Sequence, residues 1–231
     1  MIGFYILEMI IVGITVIITF IGGFIELRLN RTNWLNRWFA LFFYSASFGF
    51  LLYLIYHLIF CGGCESLIIS IRIPAQIFFN FIPISLVMTV FILEKSQKVA
   101  MSIKYFGTMM ILFILMSFGF FIWRPSLNLS LYEQGMVDTL TTGAALIWFS
   151  LVNLLRISLA IYVICKYAMM TKKVEGGTKK RLQWFFVGII IVVIGLASNL
   201  IGGISEEMLT ESLALILFNL GGILIIKGFF I

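Results

Sequence analysis

The stretch Arg72-Ile-Pro-Ala-Gln76-Ile-Phe-Phe-Asn80-Phe-Ile-Pro83 decides how the rest of the chain is read. Arg72, Gln76 and Asn80 recur every four residues, so on a helix they stack along one face. Their neighbours are almost all apolar, and the apolar run that holds them extends over roughly 67–93. A run of that length suits a helix crossing a hydrocarbon core about 30 Å thick. A polar stripe inside such a span is costly unless it faces a bundle interior, which makes it a candidate functional surface.

Composition extends this reading to the whole chain. Of 231 residues, 62% are hydrophobic and 11% charged, and the mean hydropathy is +1.14. A soluble domain carries about 25% charged residues, so this chain has too few to cover a water-facing surface. Apolar runs of helical length recur at roughly 3–25, 38–60, 67–93, 103–123, 140–166, 183–204 and 210–230. Short alternating segments, the mark of an outer-membrane barrel, are absent. The expected fold is an all-α membrane protein, a seven-transmembrane-helix bundle forming one polytopic domain over 1–231. The connectors are short, as for antiparallel neighbours, and no internal repeat is visible. Gly-Gly pairs at 22–23, 202–203 and 221–222 suit close helix packing or local unwinding. The N-terminus has neither a basic leader nor a small-residue cleavage site, so the first run is expected to remain as a span.

Charge sets the expected orientation. The first connector carries Arg28, Arg31 and Arg37, and the third Lys95, Lys98 and Lys104. The fifth carries Lys166, Lys172, Lys173, Lys179, Lys180 and Arg181, and Lys227 ends the seventh run. Of the 16 basic residues, only Arg72, Arg124 and Arg156 fall outside this set. The intervening connectors hold Glu65, Glu133, Asp138, Glu206, Glu207 and Glu211 instead. The positive-inside rule then places the N-terminus outside and the C-terminus in the cytoplasm of a multi-pass cell-membrane protein. This asymmetry, with attraction to anionic membrane lipids, accounts for the net charge of +6 without invoking nucleic acid.

Arg156 is the costliest residue in the sequence. A mid-membrane arginine costs about 3 kcal/mol on insertion scales. Either it snorkels towards the basic end, or it needs an interior partner, and no span offers a carboxylate at its depth. Asn80 lies at a similar depth and Asn153 one turn away, so neutral amides, helix carbonyls or an anionic ligand are the available solvents. Arg72 has two open readings, a snorkel to the headgroups or an inward-facing group able to pair with Glu8. Asn199, Ser198 and Asn219 fall in the outer halves of the last two spans, and Tyr53, Tyr56 and His57 at the outer end of the second. Each alone suits an ordinary interhelical hydrogen bond. Together they suggest an outward-opening cavity, with inner halves nearly all apolar. The candidate ligand-binding set is Arg72, Gln76, Asn80, Asn153, Arg156, Asn199 and Asn219.

Cys61-Gly-Gly-Cys64 has redox-pair spacing and reads as a local disulfide or two free thiols; with His57 it also permits a three-ligand metal site. Cys165 reads as a small apolar filler. Lys227 lies too near the last span's end for a retinal Schiff base, and the third span lacks an acidic counter-ion. HExxH, GxSxG and paired intramembrane carboxylates are absent. The expectation is a non-enzymatic protein with no cofactor and no metal.

One family resemblance carries further. Asn30-Arg-Thr-Asn-Trp-Leu-Asn36-Arg-Trp-Phe39-Ala-Leu-Phe-Phe-Tyr-Ser45 leads from a basic loop into the second span. With Arg72, Pro74, Phe78, Phe79 and Pro83, it resembles the seven-transmembrane sensor region at the N-terminus of bacterial and archaeal histidine kinases. That resemblance implies a prokaryotic origin, signal perception rather than catalysis, and an unidentified small-molecule or lipid-like ligand. In that family a PAS, kinase or cyclase domain usually follows the seventh span; here the sequence ends at Ile231, so either output runs through a separate cytoplasmic signalling partner, or the sequence is a fragment, or the protein is not a sensor. A small transporter or channel subunit, or an assembly subunit of a larger complex, is the alternative.

Overall fold

The computed structural model describes residues 2–59, 64–172, 175–205 and 208–230, and within these the side chains of a few helical residues, Asn199 and Glu211 among them, are not described. The chain is nearly all helical. Its long helices are α1 (Ile2–Leu29), α2 (Trp34–Leu58) and α3 (Glu65–Lys95), followed by the short α4 (Gln97–Ala100). A π-helical turn (Ile103–Gly107) leads directly into α5 (Thr108–Ile122). A compact connector follows, made of β1 (Ser126–Leu127), α6 (Leu129–Tyr132) and β2 (Thr139–Leu140). The chain closes with α7 (Gly143–Thr171), α8 (Gly176–Ser205) and α9 (Met208–Phe229).

Five helices are long and apolar enough to cross a membrane: 5–29, 34–58, 65–95, 103–122 and 143–171. Within α8 and α9 the described apolar stretches, 182–198 and 212–228, are shorter. The outer faces are those of membrane spans rather than of a water-soluble bundle. On α1, Ile10, Ile14, Ile17, Ile21 and Phe24 are all about half exposed. On α7 the same holds of Ile147, Leu151, Leu154 and Ile161. In water, such continuous apolar faces mark interaction or aggregation surfaces.

Contacts arrange the long helices in a ring in which α1 meets α2 and α9, α2 meets α3, α7 meets α8, and α8 meets α9. Helix α3 closes the ring by touching α7 as well as α2, and it also carries α5 on its flank. The main core is aromatic-rich, built on Phe39, Phe42, Phe43, Phe50, Tyr167, Phe185 and Phe218. Pro74 and Pro83 both lie inside α3, which continues through them. Neither has an N–H to give, so the carbonyls of Ser70 and Phe79 lose their usual intrahelical donor.

Antiparallel β1 and β2 pair Ser126 with Leu140 and Leu127 with Thr139. Leu127 and Val137 from this connector bury against Tyr56 and Ile68, which ties it over the ends of α2 and α3. Val137 N–H donates to Tyr5 Oη at 3.3 Å, and Tyr5 Oη donates to the His57 carbonyl at 2.7 Å.

Three expectations need correction. Glu8 does not pair with Arg72: its Oε1 accepts from Tyr53 Oη at 2.8 Å. Helix α2 packs against both α1 and α3, so its tyrosine reaches the carboxylate first. Cys165 is free and exposed on α7, so it fills no core space. The spans are also not apolar away from the Arg72 stripe. At the opposite end Glu26 is fully buried, with Asn36 Nδ2 donating to its Oε2 at 3.3 Å, and Thr89 Oγ1 meets Tyr167 Oη at 3.0 Å. Threonine and tyrosine read as apolar-compatible in sequence, yet they bond across α3 and α7 there.

Helices α8 and α9 approach through glycine. A Cβ on Gly188 would lie 2.7 Å from the Gly221 carbonyl, and one on Gly221 would lie 2.6 Å from the Gly188 carbonyl. Backbone cannot yield as a flexible side chain can, so the helices must separate. Gly188→Ala is expected to destabilise the protein by about 1–3 kcal/mol, the usual range for overpacking. Gly13→Ala, where the added methyl meets nothing within 4 Å, is expected to have no such cost. Unfolding midpoints of the purified variants in detergent check this.

Candidate functional site

Arg156 projects from α7 towards α3 and is held by side-chain amides and one carbonyl. Its Nε donates to Asn80 Oδ1 at 2.9 Å, and Nη2 donates to the same oxygen at 2.7 Å. Nη2 also meets the Gln76 carbonyl at 3.1 Å and Gln76 Oε1 at 3.0 Å. Nη1 donates to Asn153 Oδ1 at 3.0 Å. The four-residue spacing of Gln76 and Asn80 is what lets both reach one guanidinium. Asn153, three residues before Arg156, reaches it from the same helix face.

Each acceptor is itself oriented. Asn80, fully buried, donates through Nδ2 to Ser117 Oγ on α5 at 3.2 Å. That bond leaves its Oδ1 facing the arginine. Asn153 Nδ2 donates to the Phe149 carbonyl at 3.0 Å, which turns its Oδ1 the same way. The network therefore joins α3, α5 and α7. Among the described residues the one ion pair is Lys166 to Glu94, 2.9 Å apart, so the Arg156 charge is solvated without being neutralised.

Beside this network lies a cavity of about 180 Å³, bounded by α2, α3, α7, α8 and α9. Its polar wall is Arg156, Gln76 and Asn153. Tyr53, Tyr56 and His57 of α2 and Asp138 of the connector complete one end. His57 Nδ1 donates to the Tyr53 carbonyl at 2.8 Å, which leaves Nε2 as an acceptor. Phe50, Phe79, Leu86, Val192, Leu196 and Phe218 make the apolar remainder.

Arg72 is buried within the protein, only 9% exposed. Its Nη1 is enclosed without a hydrogen-bond partner among the described residues. It lines a second void, about 10 Å³, with Trp123, Pro125 and Thr141. Gln76 and Phe149 border both spaces.

Of the residues the sequence singled out, Gln76, Asn80, Asn153 and Arg156 come together, with Arg72 one turn away. Asn219 does not join them. It is buried on α9 with an Oδ1 that has no partner among the described residues, while its neighbour Phe218 faces the cavity. The side chain of Asn199 lies outside the described residues, as does Cys61. Cys64 is disulfide-bonded, which leaves it no thiolate for a metal. Among the described residues no three His, Cys, Asp or Glu side chains gather as ligands.

Sequence reasoning did not place Ser117 or Asp138 at this site. Ser117 is the one hydroxyl midway along the fourth apolar run, a signal that was readable. Asp138 arrives through the connector's tertiary fold, which no helical period announces. Comparison with protein-family models, curated proteins and solved structures finds no match to the chain.

Removing an acceptor while the charge stays buried exposes the desolvation cost of the charge. Asn80→Ala deletes two hydrogen bonds to Arg156 and the link to Ser117. It is expected to lower stability by about 2–4 kcal/mol. Ser117→Ala removes only a neutral bond and is expected to cost about 1 kcal/mol. Chemical unfolding of both variants in detergent measures the difference.

Proposed function

We propose that the protein is a non-enzymatic, receptor-like sensor module of the cell membrane. Seven helices span the bilayer, with the N-terminus outside and the C-terminus in the cytoplasm. A small molecule or lipid-like signal enters the cavity beside Arg156, and the bound state passes to a cytoplasmic or membrane partner. The observation that carries this reading is a cavity of about 180 Å³ walled by a guanidinium whose described partners are all neutral. Intramembrane cations of this kind mark ligand or ion sites by default.

Several features support the span count and orientation. Helices α8 and α9 are 30 and 22 residues long, enough to cross a core about 30 Å thick. Their glycine register, Gly188 beside Gly221 and Gly195 beside Ala214, makes them antiparallel. Helices α3 and α7 run parallel, because Asn80 meets Arg156 and Thr89 meets Tyr167 further along both. The single crossing between them, by α5, is what two parallel spans require, and with the alternation of basic connectors it agrees with seven passes.

Signal transfer has a physical route in this reading. The guanidinium holds α3 to α7 beside the cavity, and the Thr89–Tyr167 bond holds the same two helices at the other end. A ligand that competes for Arg156 shifts one clasp relative to the other. A coupled carrier would need a polar path onward from the cavity. Here the cavity meets Leu86, Val192 and Val193, with Phe42, Phe43 and Phe185 packed in the core that adjoins them. That favours binding over passage.

The test is a thermal-shift screen of the purified protein against small anionic, neutral and cationic compounds. At least one class is expected to stabilise it; Arg156→Ala is expected to abolish the shift and Arg72→Ala to weaken it, while both variants still insert. A full response in both variants, or compound flux into proteoliposomes, would overturn the receptor reading.

A further inference from the structure

The polar wall of the cavity offers more donors than the protein uses. A guanidinium has five N–H groups in a fixed fork. Arg156 commits Nε and Nη2, but Nη1 makes a single described bond, to Asn153 Oδ1, and so retains one N–H. Gln76 spends its Oε1 on Arg156, which turns its Nε2 away from that contact, and the amide nitrogen donates to no described residue. One turn along the same face, nine-tenths-buried Arg72 holds Nη1 without a described partner. The acceptors at the far end are already engaged or remote from this wall: Asp138 Oδ1 takes the Thr139 N–H at 2.6 Å, and His57 presents only Nε2.

Resting on the receptor reading above, we propose that the cavity binds a small monocarboxylate with an apolar body about the size of a benzene ring. One carboxylate oxygen accepts from Arg156 Nη1 and the other from Gln76 Nε2. The body lies against Phe79, Leu86, Leu196 and Phe218. Arg72 adds positive potential from behind Gln76 without touching the ligand.

Three features select this class. Charge comes first: a cation brings no acceptor for the unused donors and meets the Arg156 guanidinium on this wall, while the lining carboxylate, Asp138, stands at the other end. Size comes second. The volume of about 180 Å³ is close to the engineered 150 Å³ apolar cavity that holds benzene, so a long acyl chain does not fit within it. The third is donor number. Two free donors on one wall match a carboxylate's two oxygens, whereas a phosphate dianion brings more charge and more acceptors than they satisfy.

The experiment uses the full chain in nanodiscs of zwitterionic lipid, titrated at fixed ionic strength with benzoate, toluene, phenethylamine and inorganic phosphate. Benzoate is expected to bind with the highest affinity and to raise the melting temperature. Arg156→Gln is expected to weaken benzoate by at least about tenfold while leaving toluene unchanged, since a hydrogen bond to a charged group is worth about 1.5–3 kcal/mol. Leu196→Trp, which fills the apolar end and leaves Arg156 intact, is expected to abolish benzoate binding; it keeps the test decisive if Arg156→Gln does not fold. Toluene, phenethylamine or phosphate binding as well as benzoate overturns the carboxylate assignment and leaves the receptor reading standing. Benzoate binding undiminished in Leu196→Trp also overturns it. If none of the four probes binds, the assignment fails together with the cavity's role as a receptor site.

Discussion

The structure depends on the desolvation of one guanidinium. An arginine withdrawn from water into a helix bundle cannot shed its proton as a lysine can, so it must be solvated by what surrounds it. Here the solvent is Asn80, Gln76 and Asn153, with Ser117 holding Asn80 in place. That requirement brings α3, α5 and α7 to one point and fixes their rotation about their own axes. A carboxylate partner would have met the same need, and would have cancelled the charge. Neutral amides solvate it and leave the field of the cation projecting into the adjacent space.

Elsewhere the bundle is held by contacts that demand little of polarity. Helices α8 and α9 pack backbone to backbone through Gly188 and Gly221. The core around Phe42, Phe43 and Phe185 is aromatic, with edge and stacked pairs at about 5 Å between ring centroids. Several buried hydroxyls are satisfied within their own helix, as when Thr19 donates to the Thr15 carbonyl at 2.6 Å. In a bundle without a hydrophobic drive between helices, close packing and a few polar clasps supply the specificity. The two clasps between α3 and α7, at Arg156 and at Tyr167, are the ones that couple the cavity to the far end.

How much of this could be read from sequence follows from which interactions are local. Helix positions were legible because apolar runs of that length have one stable form in lipid. Asn80 and Asn153 as candidates to solvate Arg156 were legible because helical period and depth along a span are both readable from residue number; that Gln76 joins them was not. The rotation of one helix against another is not, which is why Glu8 was matched with Arg72 although Tyr53 intervenes. Asn219 stands apart from the cavity for the same reason: depth along a span is readable from residue number, and the face a side chain presents is not. The folded connector was invisible because short β-pairing and the burial of Val137 depend on the ends of α2 and α3 already being assembled.

The connector bears on the cavity in a way the helices alone do not. Asp138 and Val137 are adjacent; the first lines the cavity, and the second is buried against Tyr56 with its N–H on Tyr5. Tyr5 in turn bonds the carbonyl of His57, whose ring also faces the cavity. The same few residues that shape one end of the space thus tie the connector to α1 and α2. An occupant that shifts Tyr53 or His57 moves the hydrogen bonds anchoring the connector, while one that draws the guanidinium away from Asn80 loosens the α3–α7 contact. A single small molecule bridging both ends would act on two independent parts of the fold. In the proposed receptor, occupancy would therefore act on helix position through a few directional bonds rather than through the apolar core, which is already close-packed and yields little.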